Sequence, residues 1–154
     1  MVGEVTPIRY TFSKSEKLCS RKIIAGLHES GFFVSKFPLR INYAYTDLPV
    51  SSVQVQVMVT VSKRKFKRAV DRNRIKRILR EVYRYRKHPL ITLLEQHQQQ
   101  LAIGIIYTGN HLPEFWDVDS VFEKVFRKLL LAVDEHLSIG PETPPTNIQE
   151  NPST

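Results

Sequence analysis

Residues 53–61, VQVQVMVTV, place a valine at every odd position, with Gln54, Gln56, Met58 and Thr60 between them. Side chains of a β-strand alternate between its two sides, so this segment is a strand with one apolar face and one more polar face. A row of five valines cannot be left in water. It commits the chain to a sheet, and the sheet to a second layer packed over the valine side. A second strand, LRINYAYT over 39–46, alternates in the same way, with Leu39, Ile41, Tyr43 and Tyr45 on one side and Arg40, Asn42 and Ala44 on the other. LPVSS is the turn between the two, and the short apolar run LAIGIIY, 101–107, reads as a buried strand.

Helices supply the other layer. Ser13 and Glu16 have the spacing of a reciprocal capping box and predict a helix carrying Leu18, Ile23, Ile24 and Leu27, with Gly31 at the left-handed position after its end. A second box, Ser120 with Glu123, predicts the start of a last helix. Its apolar stripe is Val121, Phe122, Val125, Phe126, Leu129, Leu130 and Val133. Residues 90–100 read as helical, after a break at Pro89. The order is helix, strand, strand, helix, strand, helix, with one further short strand unplaced. The fold class is α+β, a small α/β sandwich formed by a sheet with helices packed on it. The chain divides into an N-terminal extension (1–12), one sandwich domain (13–137) and a Pro-rich tail (138–154). The tail holds four of the nine prolines and reads as disordered.

Charge is where this chain departs from an ordinary domain. The formal net charge is +8, and thirteen of the 23 Lys and Arg fall within residues 61–87, against two acids, Asp71 and Glu81. Such an excess implies a polyanionic partner, nucleic acid ahead of an acidic membrane surface. At about 100° per residue, Ile75, Ile78, Leu79, Val82 and Tyr83 fall in one arc, and Asn73, Lys76, Arg77, Arg80 and Arg84 on the opposite side. Asp71 is the expected N-cap. A charged helix face is commonly no more than solvated. This one lacks the interspersed glutamates that would compensate it, so its cations repel one another until an anion arrives. Lys63, Arg64, Lys65, Lys67 and Arg68 add mobile cations in the loop before it. No heptad array follows, and no two-helix turn of a helix-turn-helix module is present.

The stretch SKRKFKRAVDRNRIKRILRE, 62–81, resembles the Arg-Asn-Arg signature of the bacterial ribonuclease P protein component, and the likeness extends over roughly residues 13 to 135. The resemblance implies a ribosomal protein S5 domain 2-like fold, with a mixed four-stranded sheet and the basic helix in a left-handed crossover. It implies a protein subunit that binds the catalytic RNA and the 5′ leader of precursor tRNA, promoting endonucleolytic removal of the leader. Carried over, Arg72, Asn73, Arg74, Lys76, Arg77, Arg80 and Arg84 would face the catalytic RNA, and Lys63, Arg64 and Arg68 would border the leader cleft. Ile24 and His28 stand where relatives place cleft-facing phenylalanines. His28 and Tyr43 are therefore the candidates of this chain for the leader, Tyr43 by stacking. The loop between Ser62 and Ala69 is one residue longer than usual, with Phe66 and Lys67 where a glycine is common.

The five histidines are scattered and no nucleotide-binding or metalloprotease motif is present. The acids Glu114, Asp117 and Asp119 read as a polar lead-in to a helix. The expectation is therefore an enzyme subunit with no catalytic residue and no metal site of its own, magnesium being supplied through the partner RNA. Cys19 is alone, so no intrachain disulfide can form, and it reads as an inert core or helix residue. No signal peptide or membrane-spanning run is read. The expected setting is the cytoplasm, with no membrane or DNA partner. A structural RNA binder of ribosomal-protein type is the alternative. A stand-alone metal-dependent nuclease ranks behind both.

Overall fold

The computed structural model describes residues 12–139. The expected N-terminal extension and Pro-rich tail lie outside these residues, except that Phe12 packs against Tyr83 of the core and Ser138 and Ile139 close the last helix. A 3-10 turn, Lys14–Glu16, precedes α1 (Arg21–Ser30), β1 (Phe32–Lys36), β2 (Leu39–Tyr45), β3 (Val55–Val61), α2 (Ala69–Arg86), α3 (His88–Gln96), β4 (Leu101–Tyr107) and α4 (Phe115–Ile139). The sheet order is β1-β2-β4-β3, with β1, β2 and β4 antiparallel in turn and β3 parallel to β4. Joining parallel neighbours requires a crossover, and α2 and α3 provide it.

One face of the sheet is closed. Val34, Ile41, Tyr43, Val57, Ile103 and Ile105 pack there against Ile75, Leu79, Val82 and Tyr83 of α2 and Phe122, Val125, Leu129 and Val133 of α4. Each buried aliphatic side chain stabilises the fold by roughly 1.5–3 kcal/mol. On the other face α1 packs through Leu27, Ile23 and Ile24, with Leu18, Leu48 and Val53 beside it, over Ala44, Ala102 and Met58. Val57 takes part in the closed core while Gln56 is also buried, its amide donating to the Ser15 carbonyl at 2.9 Å, so β3 is covered on both sides at that end.

Several local expectations are corrected. The Ser13–Glu16 box is present, the Ser13 N–H donating to the Glu16 carboxylate at 2.6 Å, but it closes a single turn rather than opening α1. The chain then extends, Leu18 N–H bonding to the Val57 carbonyl at 3.0 Å, and Ser20 caps α1 through Ile23 N–H. Gly31 has φ −73°, an extended conformation; glycine is needed because a Cβ would lie 2.3 Å from the Leu27 carbonyl oxygen. Helix α2 begins at Ala69 with Arg68 as N-cap, so Asp71 sits in the first turn, where its charge still suits the helix dipole. Ser120 lies inside α4, its hydroxyl donating back to the Asp117 carbonyl, and opens no helix. Cys19 is exposed in the segment before α1. The unplaced strand is β1.

Candidate nucleic-acid interface

Helix α2 presents its polar side away from the sheet because Ile75 and Leu79 hold the opposite side at 0% exposure. Asn73, Arg74, Arg77 and Arg80 are exposed, and Lys76 is half-buried. Among the described residues, the ion pairs involve Arg84, Arg86, Lys87 and Arg127, and none involves Arg74, Arg77 or Arg80. A row from Asn73 to Arg84 spans about 16 Å, several phosphate spacings. Arg84 ends the row differently. It pairs with Glu81, which holds its guanidinium above the ordinary range, and it lies 4.6 Å from the centre of the Tyr85 ring.

Arg72 turns back instead of outward. Its guanidinium donates to the Phe66 carbonyl at 2.8 Å and the Lys67 carbonyl at 2.9 Å, tying the basic loop to the helix. Phe66 is buried with its ring 5.9 Å from that of Tyr107. The loop expected to carry mobile cations is thus fastened at both ends, with Lys63, Arg64, Lys65, Lys67 and Arg68 exposed upon it.

The end of the sheet that α1 leaves uncovered forms a second surface. Register aligns Ser35, Arg40, Ile106 and Thr60 in one row there, with Phe33 at the margin of the next row, whose Asn42, Gly104 and Met58 are covered. Arg40 lies 4.0 Å over the Phe33 ring and donates through Nε to the Asn42 amide oxygen at 2.9 Å. Gly104 sits under α1, where a Cβ would come 3.2 Å from a Leu27 methyl. An aromatic ring, an oriented guanidinium and small polar groups on a shallow sheet suit an extended, unpaired nucleotide strand. Sequence reasoning did not single out Phe33, Arg40, Thr60 or Ile106. The available signal was the alternation itself, which assigns Arg40, Met58 and Thr60 to the face opposite the core.

His28 is exposed in the last turn of α1, and Lys63 and Arg64 are exposed just past the end of β3. Arg68 is exposed at the start of α2. Tyr43 does not join them. Its ring is 1% exposed on the closed face, beside Phe32 at 5.8 Å, and burial pushes its hydroxyl up to about 12. It is a core residue, separated from the open face by the thickness of the sheet, and cannot stack on a nucleobase there.

Among the described residues no three His, Cys, Asp or Glu side chains converge to hold a metal ion. The acids of the 114–119 segment enter α4, where Asp119 takes a bidentate bond from Arg86 at 2.8 and 2.9 Å. No helix among the described residues is long and apolar enough to cross a membrane.

This geometry coincides with known proteins. The model of the family described as Ribonuclease P matches residues 12–129. The ribonuclease P protein component of Porphyromonas gingivalis is 34% identical over 119 residues, covering 77% of this chain and 86% of the relative. The chain belongs to the ribonuclease P protein family. That of Chlorobium phaeobacteroides is 36% identical over 103 residues, covering 62% of this chain and 70% of the relative. Among solved structures, the Staphylococcus aureus RNase P protein superposes with a TM-score of 0.59 at 18% identity, over 75% of this chain and 96% of that one. The Thermotoga maritima RNase P protein gives 0.58 at 16% identity, over 73% and 96%. At those identities the likeness speaks for the fold, which is the expected α+β sandwich. Membership makes this chain the protein subunit of ribonuclease P, and the alternative of a ribosomal-type structural RNA binder is not favoured.

Proposed function

We propose that the chain docks on the catalytic RNA of ribonuclease P through the outer face of α2 and holds the 5′ leader of precursor tRNA along the open end of the sheet. Arg74, Arg77 and Arg80 reach phosphates directly, with Asn73, Lys76 and Arg84 flanking them. Arginine suits this because its planar fork grips phosphate in a bidentate manner. Arg72 contributes by fixing the loop that carries Lys63, Arg64 and Arg68 beside the leader. His28 lines the other margin, and Phe33 with Arg40 takes the place first expected of Tyr43. The observation that carries the reading is the uncompensated cation row on α2, a cost in self-repulsion that an RNA partner removes.

In this reading the partner RNA supplies the chemistry of leader removal and holds the magnesium on its own phosphates. The protein binds, orients and screens charge, in the cytoplasm where precursor tRNA is processed. Purified protein alone is expected to leave precursor tRNA intact, and its addition to the matching catalytic RNA to stimulate 5′ cleavage at low magnesium. Absence of stimulation at every magnesium concentration would overturn the proposal.

A further inference from the structure

The β1–β2 hairpin ends in Lys36, Phe37 and Pro38, and the Phe37 ring is 71% exposed. A phenylalanine left in water forgoes a burial that would stabilise the fold, so its position at a hairpin tip calls for a reason. The tip is held against the basic loop. Thr108 N–H donates to the Pro38 carbonyl at 2.7 Å, and the Lys65 ammonium donates to the Thr108 carbonyl at 2.7 Å, so Phe37 and Lys65 flank one residue of the β4 end. Lys36, Lys63, Arg64, Lys65 and Lys67 are exposed around this end of the sheet, and among the described residues none of them forms an ion pair. Phe37 is the first residue of the turn, just past the last sheet row of Lys36, Leu39, Tyr107 and Val61.

The other exposed aromatic pair, Tyr85 and Trp116, differs in its setting. It borders a cavity lined also by Phe115, Arg86, Glu81 and Asp119, where the one guanidinium is already engaged by Asp119 and the two carboxylates are adverse to a phosphate backbone. The hairpin tip combines an exposed ring with cations alone, the pairing that single-stranded nucleic acid recognises: base on ring, phosphate on ammonium.

We propose that Phe37, with Lys65, forms a binding site for one unpaired nucleotide of single-stranded RNA, the ring stacking on the base and the lysine holding its phosphate. The inference rests on the reading of the open face as an RNA surface and extends that surface past the strands to the hairpin. The unpaired nucleotide belongs either to the leader or to a single-stranded stretch of the catalytic RNA, two sources with the same chemistry.

The test uses the full chain as wild type, Phe37→Ala and Phe37→Trp, with circular dichroism as the check on folding. Binding is measured to a single-stranded leader oligonucleotide of about 10 nucleotides, to the catalytic RNA alone, and, for the holoenzyme, to precursor tRNA with and without its leader. Phe37→Ala is expected to weaken one arm by about 10-fold, the loss of one stacked base, and Phe37→Trp to restore it. A loss confined to leader-bearing RNA assigns the site to the leader; a loss with the catalytic RNA alone assigns it there. Unchanged affinity in both arms overturns the site, as does an equal loss on a double-stranded control. Stimulation of cleavage by wild-type protein is scored in the same series. If wild type stimulates and Phe37→Ala binds unchanged, the hairpin site fails while the subunit role stands; if wild type does not stimulate, the subunit role itself fails.

Discussion

Helices α2 and α4 lie on the same face of the sheet and bury similar stripes, yet their outer faces handle charge in opposite ways. On α4, Arg127 pairs with Glu123 at 3.1 Å, and Asp119 receives Arg86 from α2. On α2, Arg74, Arg77 and Arg80 stand exposed with no carboxylate in ion-pair reach among the described residues. The inner faces answer to the hydrophobic core alone. The outer faces separate a helix that is complete within the fold from one that is completed by a partner. Pairing, rather than the number of cations, carries the functional information.

The shared part of the comparison can be broken first. Phe122→Ala on α4 should destabilise by about 3–5 kcal/mol and Ile75→Ala on α2 by about 2–5 kcal/mol, as each leaves a cavity at a site with 0% exposure. Denaturant titration checks both. Comparable losses are expected, because the inner faces are equivalent in kind.

The contrasting part comes next. Arg77→Ala and Arg80→Ala should each weaken catalytic-RNA binding by about 1.5–3 kcal/mol and make the log–log salt slope shallower by about one contact. Neither should lower stability by more than about 0.5 kcal/mol. Arg127→Ala on α4 should leave RNA affinity and slope unchanged, with a stability effect of about 0.3–0.5 kcal/mol. Equal RNA effects from the two helices would erase the distinction.

Glu81→Gln sharpens it further, because Glu81 is the acid that compensates Arg84. Its removal should tighten RNA binding while slightly lowering stability. Filter binding and thermal melting report the two opposite signs.

The smallest effect is one of pH at the α2–α3 junction. Burial, and then the neighbouring Lys87 charge, lower the pKa of His88. The unfolded chain therefore takes up the proton more readily than the folded one, and stability present above about pH 6.5 declines as pH falls through the folded value. The thermal midpoint should fall less between pH 7.5 and 5.5 in His88→Gln than in wild type.

Much of this was legible in residues 53–87, where period-two valines and a period of 3.6 in Ile75, Leu79, Val82 and Tyr83 are unambiguous and local. Elements whose limits depend on distant partners were not. FFVSK reads poorly as a strand because both of its faces are used, Val34 in the core and Phe33 beneath Arg40. The spacing at Ser13 occurs around one turn because Leu18 is drawn into a backbone bond with Val57, and Ser20 does the capping. Helix α4 already runs from Phe115, and the Arg86–Asp119 contact to α2 ties its first turns, so Ser120 caps nothing. The core position of Tyr43 is legible in the sequence, since alternation groups it with Leu39 and Ile41. The open face at Phe33 and Arg40 is not, because a surface left bare by a short helix is a property of packing, absent from any single segment.

The most direct test is the salt dependence of catalytic-RNA binding for wild type, for Arg74→Ala/Arg77→Ala/Arg80→Ala, and for Arg127→Ala on α4. The slope is expected to be shallower by about three contacts for the α2 variant, with cleavage stimulation at low magnesium lost, and to match wild type for the α4 variant. A wild-type slope in the α2 variant would mean that Arg74, Arg77 and Arg80 are merely solvated and that α2 does not meet the RNA.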